Sequence, residues 1–470
     1  MKKIFTLAFL LGSIPVFATI WHVGPTQTYT YCSQVVAMVQ NGDTVDIDYA
    51  TYINDPQVIW YQDNLLLRGV GGRPRLQAGS IIANDMVNGK GIFVISGDDV
   101  KVENIEFANA TVVDHNGAGI RQEGRNLYVT HCKFDANEMG ILCGNIANCK
   151  TTVEYSEFLN GGSVANPGYQ HNIYINHIDT FLFRYNYSHN AIAEGHELKS
   201  RATNNIIVYN RIANETSIDS RTIDLPNGGI SLIMGNVIEQ GSNSANSNLL
   251  GYGLEGLTNT APHALYVVNN TFVNKKTTGS FIQVQNGSDT LFVKNNIFAG
   301  AKTGGLFIGT AAVLDSSNNQ INDAVSAMNF TDPVLYNYHL LPGASAKDAG
   351  VNLSKTILGM ILKPISMYKD TCSFESRPVV NAIDIGAFEI PFPDAVTNIP
   401  AGDDAVLYPN PAGDKLYFSN ISDQYYQILS MNGSMIQNGK IGQGEIYIGS
   451  LQPGTYLIQT AHKEYLFIKQ

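Results

Sequence analysis

From Ile105 to Asn319 the chain repeats one unit: two inward apolar positions, a turn, an apolar stretch, then an anchor residue and an apolar residue two further on. The anchors are Ile105, Cys132, Ser156, Asn186, Asn210, Asn236, Asn270, Asn296 and Asn319. Two residues after them come Phe107, Phe134, Phe158, Ser188, Ile212, Ile238, Phe272, Phe298 and Ile321. Successive anchors lie 27, 24, 30, 24, 26, 34, 26 and 23 residues apart. A period of about 20–50 residues is the sequence mark of a solenoid. The spacing predicts short coils of strands, with equivalent residues of successive coils arranged in rows. The anchor asparagines are expected to stack inside a turn, where amides can bond each other along the axis.

The outward positions carry the chemistry. In His171-Asn172-Ile173-Tyr174-Ile175-Asn176 the isoleucines point inward, so Asn172, Tyr174 and Asn176 should point out. In Gly195-His196-Glu197-Leu198-Lys199-Ser200-Arg201, Leu198 is the inward residue, which gives Glu197, Lys199 and Arg201 the solvent face. Asp224 points out of the next coil, and Glu255 is expected one coil later. Leu142 faces out one coil before Tyr174, and Arg121 and Glu123 two coils before. Paired strands lie about 4.8 Å apart. Tyr174, Lys199 and Asp224 are therefore expected to form a row, flanked by Glu197 and Arg201. The two long intervals, 156 to 186 and 236 to 270, should place inserted loops on either side of it.

Such a mixture suits proton abstraction from C5 of a uronic acid, which needs a base, a cation for the carboxylate and an acid for the leaving oxygen. Lys199 is the candidate base. An ordinary lysine has a pKa of about 10.4, so its neighbours matter: Arg201 favours the neutral amine and Asp224 the ammonium. Tyr174 is a candidate acid, or the base in its place, and His171 and His196 can take either role. His171, Asn172, Asp224, Arg121 and Glu255 are the expected substrate contacts. Asp224 and Glu255 can instead pair as acid and base of a glycosidase. The plainer alternative is a surface ion pair between Lys199 and Asp224, worth about 0–1 kcal/mol. No zinc helix motif, P-loop or dinucleotide fingerprint is present.

Composition narrows the partners. The 470 residues are 44% hydrophobic and 15% charged, with a net charge of −11. A chain of that sign lacks the basic face that nucleic acid requires. Met1-Lys2-Lys3, the apolar run Ile4 to Phe17 and the ending Val16-Phe17-Ala18 predict an export signal over residues 1–18. In that compartment Cys143 and Cys149 are close enough in sequence to bridge a turn, although five cysteines cannot all pair. Small buried residues are the plainer reading of all five.

Several stretches resemble known families. Thr19 to Gly24, a helix expected over Ser33 to Gln40, and Gly42-Asp43-Thr44-Val45 resemble the start of secreted right-handed β-helix proteins. Ile383-Asp384-Ile385-Gly386-Ala387-Phe388-Glu389 resembles the last strand of bacterial extracellular β-helices. Leu407-Tyr408-Pro409-Asn410-Pro411, Leu451-Gln452-Pro453-Gly454-Thr455-Tyr456 and a basic end with Lys463 and Lys469 resemble the type A sorting domain of the type IX secretion system of Bacteroidota. That resemblance implies export across the outer membrane. Glu197-Leu198-Lys199-Ser200, followed by Asn210-Arg211-Ile212, is similar to a coil of the chondroitinase-B/alginate-lyase family. It implies Lys199 as base, calcium as a cofactor with Glu197 and Asp224 as ligands, and Arg201 or Arg221 in place of the family's arginine.

The expected fold is all-β: a right-handed parallel β-helix (solenoid) with a small C-terminal β-sandwich. Its expected parts are a cap over 19–62, the β-helix over 63–390, a linker over 391–404 and the sorting domain over 405–470. The leading expectation is a secreted or cell-surface lyase that acts as a monomer on an acidic polysaccharide and engages the type IX machinery. The alternatives are a non-catalytic glycan-binding or adhesin-like protein, and a glycosidase or uronate epimerase using the same row.

Overall fold

The structure, a computed structural model, describes residues 18–79, 90–390, 406–419, 425–430, 434–442, 444–460 and 463–470. Residues 1–17 of the expected signal and the linker lie outside them. Among the described residues, three parallel sheets of 12, 10 and 11 strands wind into a β-helix. The first runs from Ile20–Val23 to Ala311–Ser317, the second from Val58–Trp60 to Phe307–Ile308, and the third from Thr51–Ile53 to Gln320–Asn322. Each coil visits the second, first and third sheets in turn, as in Leu198–Ser200, Asn204–Val208 and Arg211–Ala213. Cysteine and β-branched, aliphatic and aromatic residues fill the interior. Phe107, Phe134 and Phe158 follow one another coil by coil on the third sheet, with ring centroids 5.3 and 4.5 Å apart, and Phe93 of the first of these coils meets Phe107 at 5.3 Å.

The anchors sit where each chain leaves the first sheet for the third. Asn210, Asn236, Asn270, Asn296 and Asn319 each accept, through Oδ1, the backbone N–H of the anchor one coil before, at 2.9 Å in every case. The residue before each anchor has a positive φ, for example 61° at Tyr185 and 57° at Tyr209. That left-handed residue makes the bend and turns the amide inward, and stacking gives the buried amide partners above and below. All five cysteines are free, with Cys32, Cys132, Cys143 and Cys149 buried.

Two expected elements differ. Instead of a helix over Ser33 to Gln40, a short 3-10 turn covers Cys32–Gln34, and the chain continues in tight turns such as Met38 N–H to Val35 C=O. Asp55 takes the Cys32 N–H and holds that start. The motif from Ile383 to Glu389 forms no strand. It wraps a fully buried Arg377, which pairs with Glu389 at 2.9 Å and donates to the carbonyls of Asp384, Gly386 and Ala387. Those carbonyls face a guanidinium rather than a neighbouring strand. The segment packs outside the third sheet, where Thr271 Oγ1 accepts the Ala387 N–H.

The chain divides into two compact units, residues 1–390 and 391–470. In the second, an antiparallel sheet of three strands and one of four enclose a core that includes Leu416, Phe418, Ile428, Ile458 and Phe467. This is the small β-sandwich.

Candidate functional site

The second sheet aligns Arg121, Leu142, Tyr174, Lys199, Asp224 and Gly251 as direct partners on successive coils. Alternation explains the row: Ile173, Ile175, Leu198 and Ile223 are fully buried in the core, so the residues between them face out. The row forms part of a trough of about 580 Å³ whose lining includes Arg121, His171, Tyr174, Lys199, Arg201 and Glu255. The inserted segment ending Asn166, Gly168, Tyr169 and Gln170 walls one side. The segment carrying Glu255, between Asn248–Tyr252 and Ala264–Val268, borders the other.

A compact charge network lies in the trough. Lys199 Nζ is 3.2 Å from Asp224 and 2.6 Å from Glu255. Arg201 donates to Tyr174 Oη at 2.9 Å, to Asn227 Oδ1 at 2.7 Å and to Glu255 Oε2 at 2.6 Å. Arg221 reaches across to Asp224 at 3.6 Å and is held by Asn248 at 2.8 Å. Three cations thus surround two carboxylates. Partial burial alone would raise the Glu255 carboxyl, but bonds from Lys199 and Arg201 hold it below the usual carboxylate range. Burial works against the Arg201 charge, but Glu255 and Tyr174 outweigh it and raise the guanidinium further. Arg121 faces the same trough and is paired with Glu123 at 2.6 Å.

His171 and His196 sit behind the row. Their rings stack at 4.7 Å, and both are buried. Burial pushes His196 down to about 4 and His171 well below the ordinary histidine value. His171 Nδ1 accepts the His196 N–H, and His196 Nδ1 accepts the Arg221 N–H. His196 Nδ1 also lies 3.2 Å from the Arg221 carbonyl, and its Nε2 lies 3.6 Å from Asp224. Neutral, stacked rings orient the row more readily than they exchange protons with solvent.

The structure places several residues differently from the sequence reading. Asn172 and Glu197 do not face solvent. They are 1% and 0% exposed, and Asn172 Nδ2 donates to Glu197 Oε2 at 2.6 Å inside the coil. Both precede their strands, Ile173–Ile175 and Leu198–Ser200, so strand alternation does not govern them. Burial, and then Asp219 nearby, push the Glu197 carboxyl well above its ordinary value. Glu255 is not the row member after Asp224; Gly251 is. Glu255 comes from the following turn and reaches back over the row. Asp224 belongs to the row but is only 2% exposed, beneath Lys199 and Arg221.

These positions bear on calcium, which needs about 6–8 oxygen ligands. The Glu197 oxygens are taken by Ala191 N–H and Asn172 inside the coil, and Asp224 is enclosed by Lys199, Arg221 and His196. The two acids do not converge on one cavity, so this pair does not fit a calcium site. Among the described residues, no group of three or more His, Cys, Asp or Glu side chains is arranged to hold a metal.

Other residues join the trough that spacing alone did not select. Gly251 leaves room for Arg221: a Cβ there would lie 2.9 Å from Arg221 Cδ and 3.0 Å from Asp224 Oδ1. Asn227 buttresses Arg201. Tyr169, 71% exposed, stands at the rim, where the Pro167-Gly168 turn inside the long interval was the available signal. Glu138 holds the neighbouring loop by accepting the N–H groups of Val112 and Gly117.

Comparison with known proteins bears on the two units separately. Residues 406–470 match the family described as the secretion system C-terminal sorting domain. The tail is a sorting domain. It marks the protein for export to the cell surface or the extracellular space, with the type IX machinery as a partner. No curated protein matches the sequence. Among solved structures, the chain is similar to the crystal structure of pectate lyase Pel9A, at 13% identity, covering 80% of this chain and 97% of that one, with a TM-score of 0.47.

Proposed function

We propose that the β-helix cleaves an acidic polysaccharide outside the cell by β-elimination. The observation that carries this reading is the cation-rich trough, in which Lys199, Arg201 and Tyr174 converge on an open, strand-built face. In the proposed reaction Arg201 pairs with the carboxylate of a uronic acid. Lys199, an ammonium in the free trough, gives up a proton before binding is complete and then takes the one on C5. The electron pair forms the C4–C5 double bond as the C4–O bond breaks, and Tyr174 protonates the leaving oxygen. Asp224 and the two histidines orient Lys199 from beneath, and Arg121, three strands along the row from Lys199, extends the cationic floor. Charge on the substrate carboxylate is met by guanidinium groups, so no step is assigned to a metal.

One observation favours a second reading. Asp224 and Glu255 meet on a single ammonium, at 3.2 and 2.6 Å, and a pair of neighbouring carboxyl groups is what a glycosidase uses. Product chemistry separates the two. Purified protein is incubated with pectate, alginate and glycosaminoglycans, with and without a chelator. Unsaturated ends, formed equally with chelator, are the expected result. New reducing ends without unsaturation would replace elimination by hydrolysis. Binding without cleavage of any polymer would make the trough a recognition surface.

A further inference from the structure

Glu255 is the exception in the trough. The groups around it are rigidly placed: Lys199 and the Asp224 it pairs with project from paired strands, and their side chains are 10% and 3% exposed. The Arg201 side chain, 17% exposed, is held by Tyr174 and Asn227. Glu255 lies on no strand, and its side chain is 45% exposed. It sits in a turn between Gly253 and Gly256, whose φ angles of 73° and 108° suit glycine. Its two oxygens bridge two cations, Oε1 to Lys199 and Oε2 to Arg201, each at 2.6 Å. A carboxylate in that position is what a bound uronic acid would supply. The row position beside Asp224 is glycine, and Arg221 lies over it, so Glu255 reaches the row from the following turn and not from the strand.

We propose that Glu255 is an internal stand-in for the substrate's carboxylate, seated on Arg201 and Lys199 in the free protein and displaced when a uronic acid binds. The inference rests on the reading of the trough as a site for acidic polysaccharide. Displacement has two effects. The ligand's carboxylate takes over Arg201, so a neutral sugar, which cannot replace the lost pairing, is excluded. Lys199 also loses one of its two carboxylate partners, as a residue that must accept a proton requires. Glu255 thereby acts as a specificity determinant: only a ligand bearing its own carboxylate can open the seat without leaving Arg201 bare of a carboxylate partner.

Binding of defined oligosaccharides to the full chain tests this. Short oligomers of galacturonate and of alginate, with neutral cello-oligosaccharides as control, are titrated against the wild type and Glu255→Gln by calorimetry. Two partly exposed pairs would compete with the ligand. Glu255→Gln should therefore bind an acidic oligomer about tenfold more tightly, with neutral oligomers unaffected. If the wild type binds an acidic oligomer and Glu255→Gln binds it equally or more weakly, the stand-in role is overturned while the reading of the trough survives. If neither protein binds any acidic oligomer, both fall. Circular dichroism of the variant establishes that the coil is intact.

Discussion

Replacing Asn236 by alanine tests how much the anchor ladder holds the β-helix together. The Asn236 side chain is fully buried and makes four bonds. Its Oδ1 accepts the N–H and the Nδ2 of Asn210, both at 2.9 Å. Its Nδ2 donates to Ile207 C=O at 2.8 Å and to Asn270 Oδ1 at 2.9 Å. Alanine leaves at least the Asn210 N–H and the Ile207 carbonyl without partners in a space closed to water. An orphaned buried group costs about 1–3 kcal/mol, so the expected loss is about 2–6 kcal/mol. Asn319 makes similar bonds at the end of the ladder, but it is half-buried, and water can replace the lost partner. Asn319→Ala should cost about 1 kcal/mol or less. Denaturant titrations followed by circular dichroism compare the two. Equal midpoints, or a loss below about 1 kcal/mol at Asn236, would refute the claim that the buried amides are coupled along the axis.

The remaining predictions concern the trough. Gly251→Ala should push Arg221 off Asp224 and lower activity while melting near the wild-type temperature, read by thermal melts and turnover together; unchanged turnover would show that Arg221 does not hold Asp224 in place. His196 is neutral in the fold, with a pKa of about 4 against an ordinary value of about 6.5. Because the folded value lies below the unfolded one, its contribution is complete above about pH 6.5 and is lost as pH falls toward 4, to a total of about 3 kcal/mol. Wild type should therefore lose more stability than His196→Asn between pH 7 and pH 4.5 in paired thermal melts, and equal losses would contradict a neutral, buried ring.

Much of the fold was legible because a solenoid repeats its physics. Inward apolar pairs returned in coil after coil and the anchor asparagines in each coil from Asn186 on, and strand alternation assigned Tyr174, Lys199 and Asp224 to one face, the face they occupy. Legibility ended where alternation ends. Asn172 and Glu197 lie one residue before their strands, in corners where the backbone turns, and there the side chains point inward and bond each other. Glu255 came from a turn whose path depends on two glycines with positive φ, so its register could not be counted along the strand. Arg377 was invisible for a related reason: its partners are backbone carbonyls of a motif that reads as a strand.

The central claim is that Lys199 performs chemistry in the trough rather than pairing with its neighbours. The most direct measurement compares wild type, Lys199→Ala and Lys199→Arg for release of unsaturated oligosaccharides from the polymer the wild type cleaves, alongside binding of a short oligomer of that polymer. Both variants should lose at least about 100-fold in turnover, the scale of a missing general base, with Lys199→Arg still binding and both variants folded. Lys199→Ala that releases unsaturated products at the wild-type rate would contradict it.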